Sequence, residues 1–347
     1  ILSNVTITGD GKHVGAIART VGADSQIENC YISGSLATTG NCAAGGLIGQ
    51  VQSGTLEIQN CIVNAEIENK DNNNRESLAG GLVGSVKVKN GTQLNIMNCI
   101  AMGSVSTNSG RGAGGLVGGQ GKTVTINSAA LQEEISTNSS QYYVDRIFGY
   151  FGDYQVHVVG GRNFAYQGMR VKCGETLLDK ENDKDRKWPE LHRGESVFKP
   201  DLLTTNFWKN TIGWGSDAEN WEFAANQLPT LKMQRDNKEV IIFSGADIPE
   251  YLEATETKTG SVKSGETGIA GAEITFKKGS SEKKATTGSD GTFSIDLANG
   301  DYDVTIKKTG YITVRTTVTI SDADLEALNF TMETNPVSML SGQTVTG

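Results

Sequence analysis

The chain has 347 residues, enough for two or more domains at about 150 residues each, and 37% of them are hydrophobic. Its formal net charge is −9, and no Lys/Arg run is concentrated enough to form the basic face that nucleic-acid binding needs. No stretch approaches the roughly 18 apolar residues of a membrane span.

The sequence opens at Ile1, inside a strand-like run, with no initiator methionine and no signal peptide. The expectation is a fragment or a processed form of a longer multidomain chain. LSNVTITG at 2–9 is the first copy of a phrase that returns as IENCYISGSL from Ile27, IQNCIVNAEI from Ile58, IMNCIAMGSV from Ile96 and INSAALQEEI from Ile126. A second phrase keeps time with it: VGAIA at 14–18, AAGGLIGQ at 43–50, LAGGLVGS at 78–85, GAGGLVGG at 112–119 and RIFGYF at 146–151. Aligned on Gly15, Gly46, Gly81, Gly115 and Arg146, its copies are 31, 35, 34 and 31 residues apart.

Each repeat holds short runs of Val, Ile and Leu between Gly, Asn, Ser and Thr clusters, which predicts about three short strands joined by tight turns. One repeat of this length cannot bury its own apolar face. Stacked copies can, each strand pairing with the same strand of the next repeat about 4.8 Å away. The expectation is a right-handed parallel β-helix solenoid over residues 1 to about 175, with the repeated glycines supplying positive φ at its corners. A phosphate loop is excluded, because no copy is followed by Lys and Ser/Thr at a helix start.

Cys30, Cys61 and Cys99 recur at one position, aligned with Val5 and Ala129, and a site that accepts Cys, Val and Ala reads as small, apolar and buried. The neighbouring Asn29, Asn60 and Asn98 are placed to form a side-chain ladder. Free thiols are expected, because the CxxC pairs of a zinc site are missing and no cofactor or metal ligand set stands out.

Beyond about 167 the repeat fades. Residues 179–195 are polar and read as a solvated loop; Asp183, Asp185 and Glu190 lack the central glycine of a calcium loop. Then 202–232 gathers Phe207, Trp208, Trp214, Trp221 and Phe223. The reading is an aromatic C-terminal cap over about 176–235 that plugs the open end of the solenoid, closing a domain that spans 1–235. The rival is a sugar platform, with Trp208, Trp214 and Trp221 as candidate ligand contacts.

EVIIFSG at 239–245 reads as a strand within a linker, 236–255. From 256 to 334 the text alternates: Ile274 and Phe276, then Phe293, Ile295 and Leu297, then Tyr302, Val304 and Ile306, with turns at SDG (289–291) and NGD (299–301). That pattern predicts a small antiparallel β-sandwich. DLEAL at 324–328 reads as part of a bend, and 335–347 as a tail or the start of a further module.

Two resemblances follow from these residues. The GGLIG and GGLVG phrases with their NC strands resemble the GLUG repeat of bacterial surface proteins, including the non-catalytic regions of immunoglobulin A-cleaving metallopeptidases, and the ending from Trp221 through Leu228–Leu231 is similar to the close of such tracts. Residues 257–333, with GIAGAEITF, TGSDGTFSI, GDYDVTIKKTGY and NFTM, resemble the carboxypeptidase regulatory-like, prealbumin-type sandwich. They also overlap pilin-type sandwiches that crosslink Lys to Asn. Here Lys258 or Lys263 with Asn329 would be the pair, though the usual acid motif is absent.

Catalytic sets are missing: His13, His157 and His192 are scattered, none lies in HExxH, and no GxSxG occurs. The resemblances imply a non-catalytic scaffold or adhesin segment, extracellular at the bacterial cell surface, a monomer within its longer chain, with a host protein or glycan as partner. The alternative is a carbohydrate-active β-helix, a lyase or hydrolase, or a carbohydrate-binding module. In-register acidic pairs on one strand face would mark the enzyme, and none is seen.

Overall fold

The computed structural model describes all residues except 72–76, 88–90, 109–111, 120, 122, 139–143, 151–156, 159–161, 179–192, 218, 254, 279–280, 299, 321–326 and 337–347. The chain is all-β and divides into two units, Ile1–Tyr251 and Leu252–Gly347. The acids Asp183, Asp185 and Glu190, most of the DLEAL bend and most of the tail lie outside the described residues.

In the first unit, each strand finds its neighbours in the repeats before and after it. Leu2–Asp10, Tyr31–Thr39, Ile62–Asn69, Gln93–Thr107, Thr123–Ala130, Phe164–Tyr166 and Glu195–Val197 follow one another across a 13-stranded sheet. Ala18–Val21, Ile48–Val51, Val83–Val86, Val117–Gly119 and Phe148–Tyr150 form a second sheet, and Ala43–Gly45, Leu78–Gly80, Gly112–Gly114 and Val144–Asp145 a third. All pairings along these three paths are parallel.

The repeated leucines make the core. Leu47, Leu82 and Leu116 are 0% exposed, and each backbone N–H donates to the same position of the next repeat, ending at Ile147. Ile17 heads this column but is 44% exposed, because its strand Ala18–Val21 pairs on one side only. Beside the apolar column runs a buried polar one, formed by Thr38, Asn69, Thr107 and Thr137 at matching strand ends and closed by Cys173. The Asn69 side-chain amide donates to the Cys42 carbonyl at 2.7 Å, which satisfies a buried turn.

The stacking changes three sequence readings. Gly15 does not pair with Gly46. Val14 bridges Ala44 and Ala18 pairs with Ile48, so Gly15 matches Gly45 and Ala16 takes the place of Gly46. Val5 pairs with Gly34 and Ala129 with Ile100, so neither occupies the cysteine position; Ser128 does, its hydroxyl accepting from the Cys99 N–H at 3.1 Å. A bulge between Met97 and Ile100 causes the one-residue slip at Ala129, whereas Val5 stands four residues away from the cysteine position.

The third change concerns the corners. Gly46, Gly81 and Gly115 do not adopt positive φ. They are required because an added Cβ at Gly46 would lie 2.2 Å from the Gly81 carbonyl oxygen, at Gly81 2.0 Å from that of Gly115, and at Gly115 2.0 Å from that of Arg146. In the asparagine column Asn29, Asn60 and Asn98 are left-handed instead, with φ of 53°, 51° and 52°. Asparagine is among the few residues other than glycine that adopt this conformation readily. The column expected as an amide ladder is thus a column of backbone corners.

Short strands close the far edge of the stack. Glu195–Val197 pairs with Phe164–Tyr166, and Thr176–Leu177 folds back antiparallel on Arg170–Cys173. Arg146, which ends the glycine column, donates to the Gly194 carbonyl and the Ser196 hydroxyl and ties the closing strand down. The expected linker strand is also part of this unit: Lys238–Phe243 pairs antiparallel with Thr230–Arg235, which pairs with Trp221–Glu222.

The second unit contains two sheets. Thr255–Ser264 pairs antiparallel with Thr292–Ala298 and Thr267–Gly268, and parallel with Leu328–Thr331. Ser281–Thr286, Glu273–Lys278, Gly300–Lys307 and Val314–Ile320 form, in that order, a four-stranded antiparallel sheet. The alternation read from sequence is the burial observed: Ile274, Phe276, Phe293, Ile295, Leu297, Tyr302, Val304 and Ile306 are all core. The Lys–Asn crosslink is not prepared. Asn329 is exposed and its side-chain oxygen accepts from Ser261, Lys263 is exposed, and the buried Lys258 amine pairs with Glu256 at 2.9 Å.

Candidate functional site

The strongest sequence candidates were the tryptophans, and the structure buries all three. Trp208, Trp214 and Trp221 are each 1% exposed. They form a continuous string of rings: Phe164 to Phe207 at 5.0 Å, Phe207 to Trp208 at 4.9 Å, Trp208 to Trp214 at 5.1 Å and Trp214 to Trp221 at 5.0 Å. The Trp208 indole N–H donates to the Leu202 carbonyl at 2.7 Å, and that of Trp221 to the Asn60 side-chain oxygen at 3.0 Å. No open ring face remains for a sugar, so the platform reading fails. Rings of this size bury about 150–250 Å² each, which favours the interior unless a ligand site holds them out.

The end-plug reading is corrected as well. The aromatic segment runs back along the flank of the stack. Phe207 packs on the Phe164 strand, Asp217 accepts from Asn98 at 3.3 Å, Trp221 reaches Asn60, and Phe243 lies 5.2 Å from Tyr31. Tyr251 returns to the middle, its hydroxyl donating to Leu131 and accepting from the Gly103 N–H, and burial pushes that phenol up. The asparagine corners are what this strap reads. Their φ leaves Asn60 and Asn98 side chains free of the ladder and available as acceptor and donor.

The cysteines lie where the repeat register puts them. Cys30, Cys61 and Cys99 stand in adjacent repeats and all five cysteines are free thiols. A hydrogen bond with Cys61, then burial, pushes the Cys30 thiol up. For Cys61, the bond from Cys30 acts downward, but the bond to Cys99 and burial outweigh it and hold the thiol well above its usual range.

Among the described residues no group of three or more His, Cys, Asp and Glu is placed to hold a metal ion. His13 accepts from the Ala43 N–H at 2.9 Å, and burial, with Lys87 and Arg19 nearby, lowers it. His157 lies in the strand His157–Val158, and His192 is outside the described residues. On the outer surface, Arg170 pairs with Glu133 at 3.0 Å and Glu134 at 3.1 Å, and Lys172 with Glu134 at 2.7 Å. Burial acts to raise the Glu134 carboxyl, but Lys172 and Arg170 outweigh it and hold it low. This set links two neighbouring strands, and surface pairs of this kind contribute only about 0–1 kcal/mol each.

A polar groove of about 480 Å³ lies on the outer face of the second unit's four-stranded antiparallel sheet, lined by Thr275, Lys284, Thr305, Lys307 and Arg315 among others. Sequence reasoning did not single it out. The outward positions of the alternating strands carried the signal, but they read as ordinary solvated faces.

Residues 259–333, within the second unit, match the family described as the carboxypeptidase regulatory-like domain. No curated protein matches the chain. Among solved structures the chain is similar to a candidate immunoglobulin A1 protease from Bacteroides ovatus, with 21% identity, a TM-score of 0.49, and coverage of 67% of this chain and 69% of that one. It is also similar to two DUF3823 family proteins. One is from Bacteroides ovatus, at 15% identity and a TM-score of 0.21 over 23% of this chain and 45% of that chain. The other is from Parabacteroides merdae, at 17% identity and a TM-score of 0.20 over 23% and 46%. No helix among the described residues is long and apolar enough to cross a membrane.

Proposed function

We propose that this chain is a non-catalytic, extracellular scaffold or adhesin segment displayed at a bacterial cell surface. In this reading the first unit is a right-handed parallel β-helix of GLUG-type repeats, and the second a spacer sandwich. One observation carries it: the columns that recur from repeat to repeat hold Leu, Gly, left-handed Asn, Cys and Thr, which serve stacking. An enzyme built on stacked strands places acid–base groups on one face, whereas the carboxylates Glu133 and Glu134 are held in ion pairs on neighbouring strands. Rung-to-rung pairing makes each repeat depend on its neighbours, which suits a stiff element that carries other groups. The regulatory-like match in the second unit supports a role as an accessory module.

The test is an activity screen of the purified chain against host and plant polysaccharides. No turnover is expected. Turnover that disappears on changing a single carboxylate overturns the scaffold reading in favour of a carbohydrate-active enzyme.

A further inference from the structure

On the outer face of the second unit's four-stranded sheet, Lys284, Lys307 and Arg315 gather at one end, while Asp301 and Asp303 lie toward the other. Register pairs Lys284 with Thr275, Thr275 with Thr305, and Thr305 with Arg315, so these four side chains form one row across four strands. At about 4.8 Å per strand the row is about 14 Å long, with a cation at each end and two hydroxyls between. Lys307 stands in the adjacent row, opposite Glu273. The groove they line, about 480 Å³, adjoins a second of about 260 Å³ that shares Glu273 and Lys307 and adds Lys308. Lys284 is engaged by Glu282 at 2.9 Å, but the Lys307 and Arg315 side chains make no hydrogen bond or ion pair among the described residues, and Lys307 acts on Glu282 only through space. Ile274, beneath the groove, is fully buried, so the floor offers no apolar pocket.

We propose that this groove binds an acidic polysaccharide, with uronate carboxylates on Lys307 and Arg315 and sugar hydroxyls on Thr275, Thr305 and the carboxylates of Glu273 and Glu282. Three features select that ligand. The row sets two hydroxyls between two cations, a spacing that suits a polymer whose carboxylates are separated by sugar hydroxyls. Glu273 and Glu282 accept hydrogen bonds from the hydroxyls that a uronate polymer carries beside each carboxylate and that poly-glutamate lacks. The net charge of −9 disfavours the densest polyanions, such as nucleic acid, while a sparsely charged polymer meets the local cations. Arginine and lysine both serve here, arginine with a fork that matches a carboxylate.

The proposal goes beyond the scaffold reading and stands on the second unit alone. Affinity electrophoresis of the intact chain tests it, with polygalacturonate as the uronate probe, dextran as the neutral one, and poly-glutamate and single-stranded DNA as the rival polyanions. Retardation by polygalacturonate alone is expected. Combined Lys307→Ala and Arg315→Ala should weaken it about tenfold or more, the effect of losing charge-assisted hydrogen bonds. Lys263→Ala, which removes one exposed cation from the other sheet, should leave it unaltered, and a thermal melt like the parent's will show that each variant folds. No retardation by polygalacturonate, equal retardation by poly-glutamate or DNA, or an equal loss with Lys263→Ala each overturns the proposal.

Discussion

The two units solve the same problem, burying one face of a strand, by opposite routes. In the second, strands of six to ten residues such as Glu273–Lys278 and Thr255–Ser264 alternate buried and exposed positions, and most partners are antiparallel. In the first, strands such as Leu78–Gly80 and Val83–Val86 are three or four residues long and buried throughout. Their partners lie a whole repeat away. Gly265 in the sandwich is needed for its conformation, with φ of +59° and nothing within 4 Å of an added Cβ. Gly81 in the stack is needed for its volume. The lesson is that one residue type, at similar frequency, can encode two different constraints.

Gly81→Val tests that difference most severely. The new Cβ would sit 2.0 Å from a backbone oxygen and 2.9 Å from the Ala101 methyl, neither free to move. A loss of about 4 kcal/mol or more is expected in the first unit. Tryptophan fluorescence during urea unfolding reads that unit selectively, because residues 252–347 contain no Trp. Gly265→Ala should cost about 1–2 kcal/mol, and only in the second unit. Equal costs would erase the distinction.

Burial of large rings should be worth the same in both units. Trp221→Ala and Phe276→Ala should each cost about 3–5 kcal/mol, in the first and second transition respectively. Trp221→Phe keeps most of the packing but strands the Asn60 oxygen, at about 1–3 kcal/mol. A neutral Trp221→Ala would return this ring to the surface and restore the sugar-platform reading.

The asparagine corners come next. Asn29 isolates the backbone contribution, because its side-chain oxygen is buried without a hydrogen-bond partner among the described residues. Asn29→Ala should cost about 1–2 kcal/mol, and Asn29→Gly far less, in urea melts of the first unit.

The smallest effect is in pH. The Cys30 and Cys61 thiols are raised above their usual 9.0 in the folded chain. The folded state therefore keeps protons that the unfolded chain releases. Stability from these groups is intact below pH 9 and falls as pH rises beyond it. Melts at rising alkaline pH should show that loss, and Cys30→Ala with Cys61→Ala should flatten it. Thiol titration after unfolding without reductant should find all five cysteines.

Much of this was legible in the sequence because it is periodic. The phrase spacing identified the stacked columns at Gly46, Gly81, Gly115 and Arg146, and the two-residue alternation identified the core around Phe276 and Tyr302. Periodicity reports which residues share an environment; it does not report what that environment is. Whether Gly46 answers to φ or to the 2.2 Å approach of Gly81 depends on a neighbour 35 residues away. The register slip at Ala129 came from a bulge, which shifts pairing by one residue and leaves no mark in composition. Only the tertiary structure decided that Trp208, Trp214 and Trp221 lie along the flank, since their partners Phe164 and Asn60 are brought close by the stack. The groove at Lys307 and Arg315 was decided in the same way. Local sequence set each strand's alternation, and cross-strand register, a contact between distant segments, set which outward side chains stand side by side.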